Sequence, residues 1–298
     1  MNVLGIHVPT ITPLTAQGEV DEAGIDTLTE FWIQQGVRCL VPTANNGEAP
    51  HLSAEERRRV WRRTVKAAAG RIAVFPSITT NTTAEAVAFA RFSEEIGAHG
   101  IMLAPPFYFR LSDEELAQHY EEVAAATSLP VMIHNEPGIF KVDVKAPLVA
   151  RLSQAGRGNI CLIKESTDDS QRVSEILTLC GDRVTVVVAG GGTAIESLYL
   201  GAKAWMTGLI NYLPGFSADV YRLAVTERKL DEARALYYKR IWPAHVMMRA
   251  VGRPVPTVKY ALELLGLPAG LTRKPMLPLS PDQKAQVQKT LREIGVLS

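Results

Sequence analysis

A short apolar run ending in polar, Gly or Pro residues, followed by about ten to fifteen residues of helical patterning, recurs along the first two thirds of this chain. Eight such runs can be counted, at 5–10, 37–42, 72–77, 100–104, 131–135, 160–164, 184–189 and 204–208. Amphipathic stretches lie between them at 22–35, 53–69, 83–96, 112–127, 146–154, 168–180 and 193–200. The starts of successive runs are roughly 20 to 35 residues apart, the size of a βα unit, so the strands must run parallel with a helix crossing back each time. Several helix starts carry capping chemistry, as in Ser53-Ala-Glu-Glu56 and Ser112-Asp-Glu-Glu115. Gly36, Gly97 and Gly201 sit where helices should end.

Eight units fit a closed (β/α)8 TIM barrel better than a doubly wound sheet, which usually has fewer strands and a Gly-rich first crossover. No GxGxxG follows any run. After residue 208 the strand signal stops, and helical patterns take over at 217–227, 230–251, 255–265 and 281–294. The expected organisation is an α/β barrel over 1–215 with a helical C-terminal extension, 216–298, packed on it. At 298 residues the chain is within range for one barrel with additions.

A formal charge of +1, with acids and bases interspersed, leaves no electrostatic footprint for nucleic acid or an anionic membrane. The run Glu55-Glu56-Arg57-Arg58-Arg59 is the solvated face of a helix. Cys39, Cys161 and Cys180 are odd in number and far apart, which points to free thiols in a reducing compartment. The N-terminal residues show no basic segment leading into an apolar run, so a cytoplasmic protein is expected.

In a barrel, chemistry gathers at the C-terminal ends of the strands. The sixth run reads Cys161-Leu-Ile-Lys164, and a lysine closing an apolar strand, if it points into the barrel, is a candidate for attack on a carbonyl. The competing reading is a lysine that snorkels or pairs with Glu165. Lys259 lies beyond the barrel on a helix and is read as structural. The fifth run ends His134-Asn135-Glu136-Pro137, placing an imidazole near neutrality beside the sixth strand, as a proton carrier or a loop hydrogen-bonder.

After the second run, Asn45, Asn46 and Gly47 offer amides and a turn to a carboxylate. Gly190, opening a triple-glycine turn that could cradle an anion, and Met206, near the end of the eighth run, are wall positions. The histidines at 7, 51, 99, 119, 134 and 245 show no HxH or HExxH pairing and no strand end gathers carboxylates, so no metal and no cofactor is expected.

These residues resemble the dihydrodipicolinate synthase and N-acetylneuraminate lyase family of class I aldolases. The likeness runs from Pro9-Thr-Ile-Thr-Pro13 to the helix 256–266 and rests on Asn46-Gly47-Glu48, Pro106-Phe-Tyr108, Asn135, Ile163-Lys164-Glu165-Ser166 and Gly201-Ala202. The resemblance implies a Schiff base between Lys164 and pyruvate or a related 2-oxo acid, leading to C–C cleavage, condensation or dehydration. It also implies a homotetramer built as a dimer of dimers, in which Tyr108 reaches a neighbouring subunit's site.

This sequence departs from the family at chosen points. Asn45 and Asn46 stand where hydroxyl residues hold the carboxylate and relay protons, and an amide donates but does not relay. His134 replaces the tyrosine that serves as acid and base. Ile139 replaces the arginine that binds a second carboxylate in the lysine-biosynthetic synthases, which argues against that reaction. Lys141, in Phe140-Lys-Val-Asp143, is similar to a position in hydratase-aldolases of aromatic 2-oxo acids and offers a point charge. The alternatives are therefore an authentic 4-hydroxy-tetrahydrodipicolinate synthase, such a hydratase-aldolase, a non-catalytic 2-oxo acid binder, or a metal-dependent aldolase.

Overall fold

The computed structural model describes residues 3–297. Nine short strands follow in chain order: β1 Gly5–Val8, β2 Cys39–Leu40, β3 Ala73–Val74, β4 Ser77–Ile78, β5 Ile101–Leu103, β6 Val131–Asn135, β7 Ile160–Glu165, β8 Thr185–Ala189 and β9 Ala204–Met206. Every pairing is parallel, in the order β3-β2-β1-β9-β8-β7-β6-β5-β4.

The two ends of that order, β3 and β4, are halves of one stave separated by Phe75-Pro76. Proline has no N–H to give a ladder, so the strand is interrupted there. The bonding continues across the break: Ser77 N donates to Pro42 O at 3.0 Å on one side, and Met102 N donates to Pro76 O at 2.9 Å on the other. Eight staves thus close a (β/α)8 barrel, as the recurring runs predict.

Alternation along the strands decides what lies inside. Met132 of β6 and Leu162 of β7 belong to a lumen cluster with Cys39, Phe75, Met102, Val187 and Met206, whereas Ile133 and Ile163 face the surrounding helices. Because side chains alternate with a period of two, His134 and Lys164 are turned to the same side as Met132 and Leu162. They are paired across the ladder, His134 opposite Lys164. At the other end of the barrel Phe75 fills the lumen, and a Cβ on Gly100 would stand 2.3 Å from its ring, so only glycine fits there.

The outer ring is α1 Glu22–Gln34, α2 Ala54–Ala68, α3 Thr83–Glu95, α4 Asp113–Ala125, α6 Ala146–Leu152, α7 Ser170–Cys180 and α8 Ala194–Leu200, with a one-turn α5, Pro137–Phe140, directly after β6. Both capping boxes form, at Ser53 with Glu56 and at Ser112 with Glu115. The extension holds α9 Pro214–Tyr221, α10 Leu230–Leu236, α11 Trp242–Val251, α12 Pro254–Leu264 and α13 Pro281–Glu293. The continuous helix expected over 230–251 is instead split by a π turn, Tyr237–Ile241. Pro243 explains it: its ring crowds the carbonyl four residues back and it has no N–H to donate, so the preceding turn widens.

Barrel and extension share one apolar core, with Ile6 and Trp205 in the same cluster as Val258, Leu262 and Leu291. Lys259 is structural: its ammonium meets Glu48 at 2.7 Å with both side chains buried, and it donates to Leu271 O at 2.6 Å. The cysteines are unpaired. Among the described residues, no helix is long and apolar enough to cross a membrane.

Candidate active site

At the C-terminal ends of the strands lies a cavity of about 240 Å3, with Lys164 beside Asn45, Asn46, Glu136, Ser166, Gly190 and Met206 in its wall. Lys164 is only 7 % exposed, so its charge must be met locally. Its Nζ lies 2.6 Å from Glu136 Oε2 and 2.9 Å from His134 Nε2. The same Glu136 oxygen is 2.9 Å from His134 Nε2 and accepts from Asn45 Nδ2 at 2.8 Å. One carboxylate oxygen is therefore the hub of a lysine, a histidine and an amide.

The electrostatics follow from burial. His134 is fully buried, and that desolvation, reinforced by the Lys164 charge, pulls its pKa down to about 4, leaving a neutral imidazole at neutral pH. Its Nδ1 has no partner, so Nε2 is the nitrogen through which it acts. Burial opposes ionisation of Glu136, but the Lys164 charge and the hydrogen bonds from His134 and Lys164 prevail and hold it well below the usual carboxylate range. A charged carboxylate beside the lysine is what a proton acceptor at this position requires.

The loop that presents Glu136 is anchored through Asn135. Its amide donates to Glu165 at 2.9 Å and to Asp143 at 3.1 Å, while its carbonyl oxygen accepts from Val144 N at 2.9 Å. Asp143 is gripped by both Arg172 nitrogens, at 2.9 and 3.0 Å. Burial raises the Glu165 pKa against these donors. Glu165 thus serves Asn135 and not Lys164, contrary to the snorkelling alternative.

The two asparagines do different things. Asn45 is committed to Glu136, whereas Asn46 Nδ2 is buried without a partner and rests against Gly208, where a Cβ would stand 2.6 Å away. The Ser166 hydroxyl is likewise buried and unpartnered in the cavity wall. Gly47 stands behind the wall, its carbonyl accepting from Thr12 Oγ1 at 2.8 Å, and a Cβ there would approach Thr10 O at 2.9 Å.

Ile139 lines the rim and is 54 % exposed. Lys141 does not line the cavity; its ammonium donates to Gly138 O at 2.8 Å and closes the short α5 helix. Tyr108 does not line the cavity either; it is 76 % exposed and stacked edge-on against Phe109.

Glu136 as the hub, Ser166, Asp168 and His245 are what sequence reasoning failed to single out. Glu136 carried a usable signal, since it follows His134 by two residues at a strand exit. His245 carried none, because it comes from the extension 81 positions after Lys164. No group of three or more His, Cys, Asp or Glu able to hold a metal ion occurs among the described residues.

Comparison with known proteins agrees with the geometry. The model of the dihydrodipicolinate synthetase family matches residues 2–294. A 4-hydroxy-tetrahydrodipicolinate synthase from Thermodesulfovibrio yellowstonii is 33 % identical over 293 residues, 98 % of this chain and 99 % of that protein. The structure of 4-hydroxy-tetrahydrodipicolinate synthase from Methylacidiphilum fumariolicum SolV superposes with a TM-score of 0.93 at 31 % identity, covering 98 % of this chain and 96 % of that one. The chloride-inhibited dihydrodipicolinate synthase from Acinetobacter baumannii, solved with pyruvate, gives a TM-score of 0.93 at 29 % identity over 99 % and 100 % of the chains. A lumenal lysine on a closed barrel and a family match across nearly the whole sequence lead to one statement: this chain belongs to the dihydrodipicolinate synthetase family.

Proposed function

We propose that this chain is a lyase of the class I aldolase type that condenses Lys164 with the ketone of pyruvate or a related 2-oxo acid. The observation that carries the reading is the Lys164 ammonium, buried at the end of β7 inside the barrel and in contact with both His134 and Glu136. Lys164 gives a proton up to solvent at the open mouth, and the freed amine attacks the ketone carbon. The carbinolamine then expels its oxygen as water, which carries away the two protons that the nitrogen gives up. The iminium left behind is an electron sink: loss of a C3 proton, or cleavage of the bond beyond C3, moves its electron pair into an enamine.

Glu136 is the group beside that carbon able to take the proton, with His134 holding its orientation. The unpartnered Asn46 amide and Ser166 hydroxyl supply donors for the substrate carboxylate. Asn45, by contrast, positions Glu136 and is not a carboxylate ligand. Tyr108 enters only in an oligomer. Its exposure beside Phe109 supports a homotetramer in which it meets a neighbour's site. Packing of the C-terminal extension, through 297, on the barrel is supported by the shared core. A cytoplasmic setting is supported by three free cysteines.

Borohydride reduction in the presence of pyruvate tests the reading. Wild type gains the mass of a reduced pyruvate adduct, and Lys164→Ala does not. No adduct on wild type, or an undiminished one on the variant, refutes it.

A further inference from the structure

The turn that carries Asn46 is bracketed by two non-glycine residues in the left-handed region, Thr43 with φ 55° and Glu48 with φ 59°. Such a conformation persists only where the surroundings impose it, so each end of this short 3-10 turn, Asn45–Gly47, needs something to hold it. At the first end the Thr43 hydroxyl donates to Ser77 O at 3.1 Å and accepts from Trp61 Nε1 at 2.6 Å, with both side chains buried. At the second, Glu48 N donates to Asn45 O at 3.1 Å and closes the turn, while the buried Glu48 carboxylate is held from two sides. Its Oε1 pairs with Lys259 Nζ at 2.7 Å, and its Oε2 accepts from Arg273 N at 2.8 Å.

Both of those partners belong to the C-terminal extension. Lys259 is on α12, which packs against the Asn45–Gly47 turn and against Gly208–Asn211, the two segments that meet at the Asn46 amide. The Arg273 guanidinium reaches Glu56 at 2.6 Å and His51 O at 3.2 Å, so the loop after α12 is fastened to the start of α2, directly beyond the turn. Thr43, Glu48 and Lys259 all stand outside the cavity wall. Whatever they do for a substrate passes through the residue they hold.

Stability alone is a poor reason for the pair. Taking two charges out of water costs about as much as their attraction returns, so apolar side chains of the same volume would hold the chain equally well. What the pair adds is direction. A carboxylate fixed at both oxygens by groups from the extension has one position, and the strained backbone that bears it follows. The Asn46 amide needs that precision, because its Nδ2 has no partner in the protein and rests where a Cβ on Gly208 would stand 2.6 Å away.

We infer that the buried Glu48 and Lys259 pair, with Thr43 at the other end of the turn, positions the Asn46 amide to receive the substrate carboxylate, so that the C-terminal extension takes part in binding the 2-oxo acid. Glu48, Lys259 and Thr43 are positioning residues, and Asn46 is the group that touches the ligand. This rests on the Schiff-base reading above and on Asn46 as a carboxylate donor.

The test compares pyruvate with hydroxyacetone, which keeps the ketone and carries a hydroxymethyl group in place of the carboxylate. Each is trapped with borohydride at concentrations where the adduct grows linearly, and the adduct is read by mass on the peptide that contains Lys164. The readout is selectivity, the pyruvate adduct per unit concentration divided by that of hydroxyacetone. The principal variant is Glu48→Gln with Lys259→Met, which removes the pair without leaving a buried charge unmet. Thermal unfolding checks that it is folded at the assay temperature, and Thr43→Val, which removes the tie at the other end, takes its place should it not be.

Asn46→Ala lowers selectivity about tenfold, the size expected for a hydrogen bond to a charged group. The paired variant lowers it by at least about threefold, and adding Asn46→Ala to it lowers it no further than Asn46→Ala alone, because residues that act through one group do not add. A merely structural role would lower both adducts together and leave selectivity at its wild-type value. A loss of less than about threefold, or losses that multiply when Asn46→Ala is added, overturns the clamp while Asn46 stands as the carboxylate ligand. Unchanged selectivity in Asn46→Ala overturns the carboxylate reading and the clamp with it. Absence of any pyruvate adduct on wild type overturns the Schiff base itself.

Discussion

Glu136→Gln separates making the iminium from using it. Glu136 Oε2 lies 2.6 Å from the nitrogen that would bond to C2, so it is within reach of the protons on C3, one carbon further on. Glutamine keeps the length of the side chain and a carbonyl oxygen that can still accept from Asn45, but it takes no proton. General-base assistance of this kind is worth roughly 10²- to 10⁴-fold, which at about 1.4 kcal/mol per decade is on the order of 3 to 5 kcal/mol of barrier.

The assay is exchange of the pyruvate methyl protons for deuterium, followed by proton NMR in D2O, because it reads enamine formation without requiring the second substrate. Glu136→Gln should still be trapped by borohydride with pyruvate, while its exchange rate falls by two to four decades. His134→Gln, which removes a neighbour that orients the carboxylate, should cost less than Glu136→Gln. Exchange in Glu136→Gln within about threefold of wild type would show that another group takes the proton, and the assignment would fail.

Three further outcomes follow from contacts elsewhere in the molecule. Lys259→Met leaves the buried Glu48 with the Arg273 N donor at 2.8 Å and the His51 ring at 3.8 Å but no lysine, and a broken buried pair costs about 3 to 5 kcal/mol, measurable by denaturant unfolding; adding Glu48→Gln should recover part of the loss. His7, His119 and His134 are pulled by burial from 6.5 to about 4, so the unfolded chain binds protons that the folded one refuses. Stability contributed by each, on the order of 3 kcal/mol, is complete above pH 6.5 and is lost as pH falls toward 4, and replacing His119 with Gln should flatten unfolding curves in that window. Gly191→Ala forces the His245 ring away from the turn, so it should destabilise by about 1 to 3 kcal/mol in denaturant unfolding; unchanged stability would show that the ring yields without cost.

Sequence by itself determined the barrel and its lysine. Eight apolar runs at βα spacing admit few architectures, and period-two alternation puts His134 and Lys164 on the side of Met132 and Leu162 once that side is known to face the lumen. Capping boxes at Ser53 and Ser112 were local patterns and formed as such. Local patterning also missed two local features, the π turns Arg222–Thr226 and Tyr237–Ile241, which a helical period alone does not register.

The partners within the site were decided by tertiary structure. Asn45 and Asn46 are adjacent and chemically identical, yet one is spent on Glu136 and the other is left unpaired, because each points where its turn directs it. Lys141, similar to a functional position in sequence, folds back on its own helix. Asp168, Gly190 and His245 come from three separate elements, and their proximity exists only once the barrel closes and α11 docks over its mouth. Periodicity reports which face a residue occupies; which group it meets there depends on the register of strands and helices distant in the chain, and no local pattern encodes that.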